Sequence, residues 1–115
     1  MLCNRGDVLP VLFPNSNLRS TKRRPALAVQ ASNLGTGLSQ TVVAMISSNI
    51  ARAGHPSRVT VSLSSPDGKL TGLLSNSVIM TDNLAPVLDN EIERVIGARP
   101  EMGKVDAALR KTLGL

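Results

Sequence analysis

The chain has 115 residues, of which 42% are apolar and 18% are charged. This balance excludes a disordered chain and predicts one packed domain over residues 1–115. The formal net charge is +5, and the excess lies in residues 1–60, which hold seven basic side chains and one acidic side chain. With one cysteine and one histidine, the chain cannot form an internal disulfide or a Cys/His zinc site of its own.

The first half of the chain alternates between apolar segments and polar connections. Predicted strands are Arg5–Pro14, Pro25–Gln30 and Thr41–Ile46, and the segments between them, Asn15–Arg24 and Ala31–Gln40, are predicted loops. Pro10 and Pro14 restrict the first strand to an edge or an end of a sheet. Asn15–Arg24 is long for a hairpin connection, and long loops in compact domains are often functional.

The second half begins with the clearest strand pattern. In Arg58–Leu63, apolar residues alternate with polar ones, which is typical of a half-buried strand. Ser65–Gly68 has the proline and glycine positions of a type I turn. Ser77–Thr81 and Glu93–Gly97 are two further predicted short strands.

The end of the chain changes to a helical period. Met102, Val105, Leu109 and Leu113 recur every three or four residues. Pro100 suits a first helical turn, and Gly114 suits a helix end. Five or six short strands followed by one helix predict a mainly β protein, a small antiparallel barrel capped by a C-terminal helix.

A basic cluster stands out within the predicted loop 15–24. Four of the six residues from position 19 to position 24 are basic: Arg19, Lys22, Arg23 and Arg24. Such a cluster attracts polyanions, either nucleic acid or an acidic protein segment. The alternative is a solvated loop whose charges keep the protein in solution. No apolar run approaches the roughly 20 residues of a membrane span, so no membrane partner is expected.

Five segments carry a resemblance to a known family. They are Arg5-Gly6-Asp7-Val8 with Phe13-Pro14, Lys22-Arg23-Arg24-Pro25-Ala26-Leu27, Val42 to Ser48, Ser77 to Leu84, and Val105 to Arg110 with Leu113-Gly114-Leu115. In this order they resemble the PemK/MazF family of bacterial toxin endoribonucleases over nearly the whole chain. The resemblance implies an SH3-like β-barrel with a C-terminal helix, usually found as a homodimer. It also implies metal-independent, sequence-selective cleavage of single-stranded RNA, such as mRNA, to 2′,3′-cyclic phosphate and 5′-OH ends.

The resemblance also implies partners. The expected ones are single-stranded RNA, a second copy of the chain and a cognate antitoxin whose acidic tail covers the RNA-binding groove. Operator DNA is expected only through the antitoxin complex. No cofactor and no metal are expected. The predicted location is the bacterial cytoplasm, which fits a single Cys3 kept reduced.

Arg24 is the main candidate for catalysis. A guanidinium presents a planar fork to phosphate oxygens and stays charged, and Pro25 biases Arg24 towards an extended conformation. By resemblance, Arg24 corresponds to an arginine assigned to phosphate stabilisation or proton donation. We favour stabilisation of developing charge because the pKa of arginine is high. The alternative is an ordinary surface arginine.

The remaining candidates depend on the resemblance. Ser47 matches a family threonine at the end of the third strand, with Ser48 as the fallback, but it also suits a strand end that satisfies its own backbone. Asp82 is the candidate general base, a role that requires a pKa raised towards neutral. The alternative is an ordinary aspartate in a turn, hydrogen-bonded to nearby backbone amides. The candidate RNA-binding residues are Arg19, Ser20, Lys22, Arg23, Ser48, Asn49, Arg58 and Asn83.

Two departures from the family pattern keep other functions open. Ala85 stands where many relatives have an arginine, and the loop before Arg24 lacks the acid or histidine of some relatives. His55 lies in Gly54-His55-Pro56, outside the motifs of the family, and is more often incidental than catalytic. The alternatives are a toxin of the same fold that poisons DNA gyrase and a catalytically degenerate barrel that binds nucleic acid or an antitoxin.

Overall fold

The computed structural model describes residues 3–14, 21–98 and 100–115. Six antiparallel strands form one curled sheet in the spatial order β4-β5-β3-β2-β1-β6. The strands are β1 (Asp7–Pro14), β2 (Thr21–Ala28), β3 (Gln40–Ser47), β4 (Arg58–Val61), β5 (Ser77–Leu88) and β6 (Gly97–Ala98). The helices are α1 (Pro66–Leu70) and α2 (Met102–Leu113), with 3₁₀ turns at Ile50–Arg52 and Asp89–Glu91. The prediction of a small, mainly β fold with a C-terminal helix is confirmed.

Both faces of the central strands are buried, because each face carries its own apolar cluster. The first cluster includes Val8, Leu27 and Ile79, and it is closed by Val105 and Ala108 of α2. The second cluster lies on the opposite face and includes Leu9, Val43 and other side chains that alternate with those of the first, together with Ile92. This arrangement explains the nearly continuous apolar runs within β1 and β3.

Helix α2 follows the sequence prediction closely. Its apolar stripe packs against β4 and β5, with Val105 0% and Ala108 2% exposed, whereas Leu113 at its end is exposed. It ends at Gly114, which adopts a left-handed conformation (φ 72°) and donates its N–H to the carbonyl of Arg110. Pro100 precedes the helix rather than occupying its first turn. No helix within the described residues has the length and apolar character needed to cross a bilayer.

Four local predictions are corrected. Residues 21–24 belong to β2 rather than to a loop, because β1 and β2 pair as far as Pro14 and Thr21. Ser65–Gly68 starts helix α1 instead of a turn, since the Ser65 hydroxyl accepts from the Gly68 N–H at 3.0 Å. The strand predicted at Ser77–Thr81 continues to Leu88. Glu93–Gly97 is not a strand, and only Gly97–Ala98 pairs with β1.

Candidate active site

A cavity of about 360 Å³ opens at the end of the sheet where β2 and β3 separate. The pairing of β2 with β3 reaches Ala26 and Met45 and stops there. β2 nevertheless continues beside β1, and β3 continues beside β5 as far as Ser47 and Val78. The cavity therefore lies between two diverging strand ends, with Pro25 on one wall and Ile46 on the other.

Pro25 gives a physical reason for this separation. Proline has no N–H to donate, so a strand ladder loses a hydrogen bond wherever proline occurs. Pro25 faces Pro10 across β1 and β2, and it is the residue directly before the last paired residue, Ala26. Pro25 therefore has two effects: it favours an extended Arg24, and it lies where the pairing of β2 with β3 ends.

The walls of the cavity are rich in cationic and hydroxyl groups. The polar side chains on the walls are Arg23, Arg24, Arg94, Ser48, Ser75 and Ser77, and the apolar ones are Pro10, Pro25, Ile46, Leu73, Leu74 and Ile96. Among the described residues, no aspartate, glutamate or aromatic side chain lines it. Arginine and serine donors on a partly apolar surface fit an anionic ligand with an apolar face.

Arg23 and Arg24 both line the cavity, but their surroundings differ. Arg23 is exposed and forms an ion pair with Glu93, at 2.5 Å from Nη2 to Oε1. Arg24 is half-buried and lies opposite Val11 in the β1–β2 pairing. Two of the four predicted basic residues are therefore placed at one site. Arg19 and Ser20, and the side chain of Lys22, lie outside the described part of the chain.

Of the two candidate serines, Ser48 lines the cavity and Ser47 does not. The Ser47 hydroxyl accepts a hydrogen bond from the Asn49 N–H at 3.1 Å, as in the backbone-satisfying alternative. Asn49 in turn caps the 3₁₀ turn Ile50–Arg52, accepting from the Ala51 N–H at 3.2 Å. The fallback Ser48 is thus the candidate hydroxyl that lines the same cavity as Arg24, while Ser47 and Asn49 hydrogen-bond to the backbone around it.

Asp82 pairs with Arg58 and lies outside the cavity walls. Its Oδ2 is 2.9 Å from Arg58 Nη2, and Arg58 also donates to the Arg52 carbonyl at 3.0 Å. The hydrogen bond from Arg58 lowers the pKa of Asp82, the opposite of the raised pKa that a general base near neutral pH requires. Arg58 lies on a separate groove between β4 and α2. Asn83 donates to Met45 Sδ at 3.0 Å.

His55 has a local structural role. Its Nδ1 lies 2.7 Å from the Ser57 hydroxyl and accepts from the Ser57 N–H at 3.1 Å, so it stabilises the bend before β4. His55 does not line the cavity. The described residues contain no cluster of three or more His, Cys, Asp or Glu side chains.

Sequence reasoning missed Arg94 and the segment 72–75. Arg94 stood in a predicted strand, and nothing in the sequence pointed from it to Arg24. The segment reaches the cavity because Gly72 (φ +73°) passes against the backbone of Ile96, where an added Cβ would lie 2.0 Å from the carbonyl oxygen. The glycine at position 72 was the one available signal of this close approach.

The same fold occurs in solved toxin structures. An endoribonuclease in complex with its cognate antitoxin, from a Mycobacterial species, matches with a TM-score of 0.76 and 20% identity over 99% of this chain and 97% of that chain. The Mycobacterium tuberculosis toxin MazF-mt6 matches with a TM-score of 0.73 and 20% identity over 95% of this chain and 97% of that chain. A MazE–MazF structure from Deinococcus radiodurans matches with a TM-score of 0.72 and 18% identity over 100% of this chain and 99% of that chain.

These likenesses define the fold class as MazF-like. The sequence then gives the family, because the family model of PemK-like, MazF-like toxins of type II toxin–antitoxin systems matches residues 4–113. The chain belongs to this family, as the resemblance in its strand and helix segments indicated. No curated relative matches the chain in sequence.

Proposed function

We propose that the chain is the toxin of a type II toxin–antitoxin pair and cleaves single-stranded RNA in the cavity between β2 and β3. The observation that carries this proposal is the set of arginines and serines on the cavity walls, with no carboxylate among the described lining residues. Affinity for nucleic acid depends mainly on phosphate charge, and this surface supplies the complementary charge. The fold and the family support the same activity, since the Mycobacterial neighbour is an endoribonuclease.

The reaction we propose is a transesterification. The ribose 2′-oxygen loses its proton and attacks phosphorus, the bond from phosphorus to the 5′-oxygen breaks, and that oxygen takes up a proton. The products are a 2′,3′-cyclic phosphate and a 5′-OH end. Arg24 stabilises the negative charge that develops on the phosphate oxygens, and the Ser48 hydroxyl donates beside it. Asp82 stays outside this assignment because it pairs with Arg58.

Base selectivity must come from groups other than aromatic rings. The chain has no Trp or Tyr, and Phe13 is its single aromatic residue. Stacking of several bases on aromatic side chains, as in many single-strand-binding proteins, therefore has little support in this composition. We assign base recognition to hydrogen bonds from the serine and backbone groups of the cavity and to apolar contact with Leu73 and Ile96.

The partners we propose follow from the family. A homodimer of a single toxin domain, residues 1–115, would bind a cognate antitoxin whose acidic tail competes with RNA for the arginines. A complex of toxin and cognate antitoxin is known for the Mycobacterial neighbour. Contact with operator DNA would occur only through the antitoxin complex, in the bacterial cytoplasm.

The test is digestion of a long single-stranded RNA in EDTA by the purified protein, by Arg24→Ala and by Arg110→Ala. Arg110 is exposed in the last turn of α2, away from the cavity, so it controls for loss of one positive charge. We expect wild type and Arg110→Ala to give discrete fragments whose 5′-OH ends a kinase labels. Arg24→Ala should be slower by about 10²–10³, the usual loss of one donor to developing negative charge.

Two outcomes would contradict the proposal. Intact RNA after treatment with folded, antitoxin-free wild-type protein would remove the nuclease activity. Equal cleavage by Arg24→Ala would remove the role of Arg24. Circular dichroism on each variant separates loss of activity from loss of fold.

A further inference from the structure

Arg94 lines the same cavity as Arg24 of β2. It lies between the 3₁₀ turn Asp89–Glu91 and β6. On one side Ile92, 2% exposed, is anchored in the second apolar cluster. On the other side the Ile96 N–H donates to the Val8 carbonyl at 2.9 Å, and Ile96 packs against the first cluster. The backbone on both sides of Arg94 is thus held by the core.

The charge of Arg94 is not offset within the described part of the chain. The adjacent Glu93 carboxylate pairs with Arg23, and no hydrogen bond or ion pair joins the Arg94 side chain to another described residue. A guanidinium stays charged at every accessible pH, and its donors then bind water or a ligand anion. The cavity therefore carries a cation, Arg94, whose charge no ion pair with another described residue offsets.

The size of the cavity indicates a ligand larger than one phosphate group. About 360 Å³ lies within the range of sites that hold small organic molecules. Ile46, Leu73 and Ile96 give the walls an apolar part, which suits the face of a base or ribose. Two guanidinium groups and several apolar side chains on one cavity match a nucleotide that has a phosphate on each side.

We propose that Arg94 binds a phosphate of the RNA adjacent to the scissile phosphate, so that Arg24 and Arg94 hold one nucleotide between them. This inference depends on the proposed function. It makes Arg94 an RNA-binding residue that is separate from the chemical step. It also assigns two phosphate positions in the cavity. The scissile phosphate lies beside Arg24 of β2, and the neighbouring phosphate lies beside Arg94.

The experiment measures binding of a fluorescent RNA oligonucleotide with 2′-O-methyl groups, which keeps every phosphate but lacks the nucleophile. Wild type, Arg94→Gln and the control Arg110→Gln are titrated across a range of salt concentrations. Each phosphate contact adds about 0.7 to the slope of log affinity against log salt for single strands. We expect Arg94→Gln to bind several-fold more weakly and to lower the slope by about 0.7, and Arg110→Gln to match wild type.

The outcomes separate the two proposals. If wild type cleaves RNA and Arg94→Gln keeps the wild-type slope and affinity, the role of Arg94 is wrong and the proposed function stands. An equal slope decrease in Arg110→Gln would also overturn it, because the effect would then be general charge. If wild type neither binds nor cleaves RNA, both proposals fail together. Circular dichroism confirms that each variant is folded.

Discussion

At the scale of single residues, the pair of Arg58 and Asp82 makes a prediction about stability and pH. We expect Asp82→Asn to lower the free energy of unfolding by about 0.5 kcal/mol at pH 7, as for other partly exposed ion pairs. The pKa of Asp82 is lowered by Arg58, so its stabilisation is present above the unfolded value of about 3.9 and is lost as pH falls below it. Urea unfolding of both proteins at pH 7 and pH 3 should show a difference that shrinks at low pH.

The same variant tests what Asp82 does in catalysis. Because the carboxylate pairs with Arg58 and does not line the cavity, we expect Asp82→Asn to cleave RNA within a few-fold of wild type between pH 6 and pH 8. A loss above 100-fold in a folded variant would instead make Asp82 a catalytic residue. A stability difference that grew as pH fell would contradict the direction of its pKa shift.

At the scale of elements, sequence patterns succeeded where one period persisted. Helix α2 and strand β4 keep their periods for several residues, and both are where the sequence predicted them. Predictions failed where a neighbour decided the structure. The pairing with β1 extends β2 back to Thr21. The residues before Gly97 form no strand, and they are held by the buried Ile92 side chain and by the hydrogen bond from the Ile96 N–H to the Val8 carbonyl. Local sequence carries no information on such partners.

Gly72 and Gly97 allow the chain after α1 to pack closely against the chain around β6, beside the cavity. A Cβ on Gly97 would lie 2.1 Å from the Thr71 carbonyl carbon and oxygen, and Thr71 is fully buried. We expect Gly97→Ala to lower the free energy of unfolding by about 1–3 kcal/mol, the usual cost of overpacking, since backbone must move. The displaced segment 72–75 should also reduce RNA cleavage.

Gly103 provides the matched control for this prediction. It lies in the first turn of α2, and a Cβ there would meet no atom within 4 Å. Gly103→Ala should raise stability by up to about 1 kcal/mol through helix propensity. Urea unfolding measures both variants. Equal stability of Gly97→Ala and wild type would show that the contact between Gly97 and Thr71 is not tight.

At the scale of the whole molecule, the candidate site was predicted in part. The sequence pointed to Arg23 and Arg24 because basic residues are clustered there and proline follows, and both lie on the cavity. It placed Asp82 and Arg58 with them, whereas the fold pairs these two with each other elsewhere. Arg94 reaches the same cavity as Arg24 only because the chain around β6 returns to β1. Distant segments meet at the site through topology, which a single sequence does not display.

The two apolar clusters on opposite faces of the sheet should unfold as one unit. Adjacent residues of the same strands, such as Val8 and Leu9, belong to different clusters, so neither cluster can lose its strands without the other. We expect Ile79→Val in the first cluster and Ile92→Val in the second each to lower the free energy of unfolding by about 0.5–1.5 kcal/mol.

Since the chain lacks Trp and Tyr, unfolding in urea is followed by amide NMR signals from both faces instead of fluorescence. Each variant should shift a single midpoint shared by both sets of signals, as in a two-state domain. Separate midpoints for the two faces would contradict one cooperative domain.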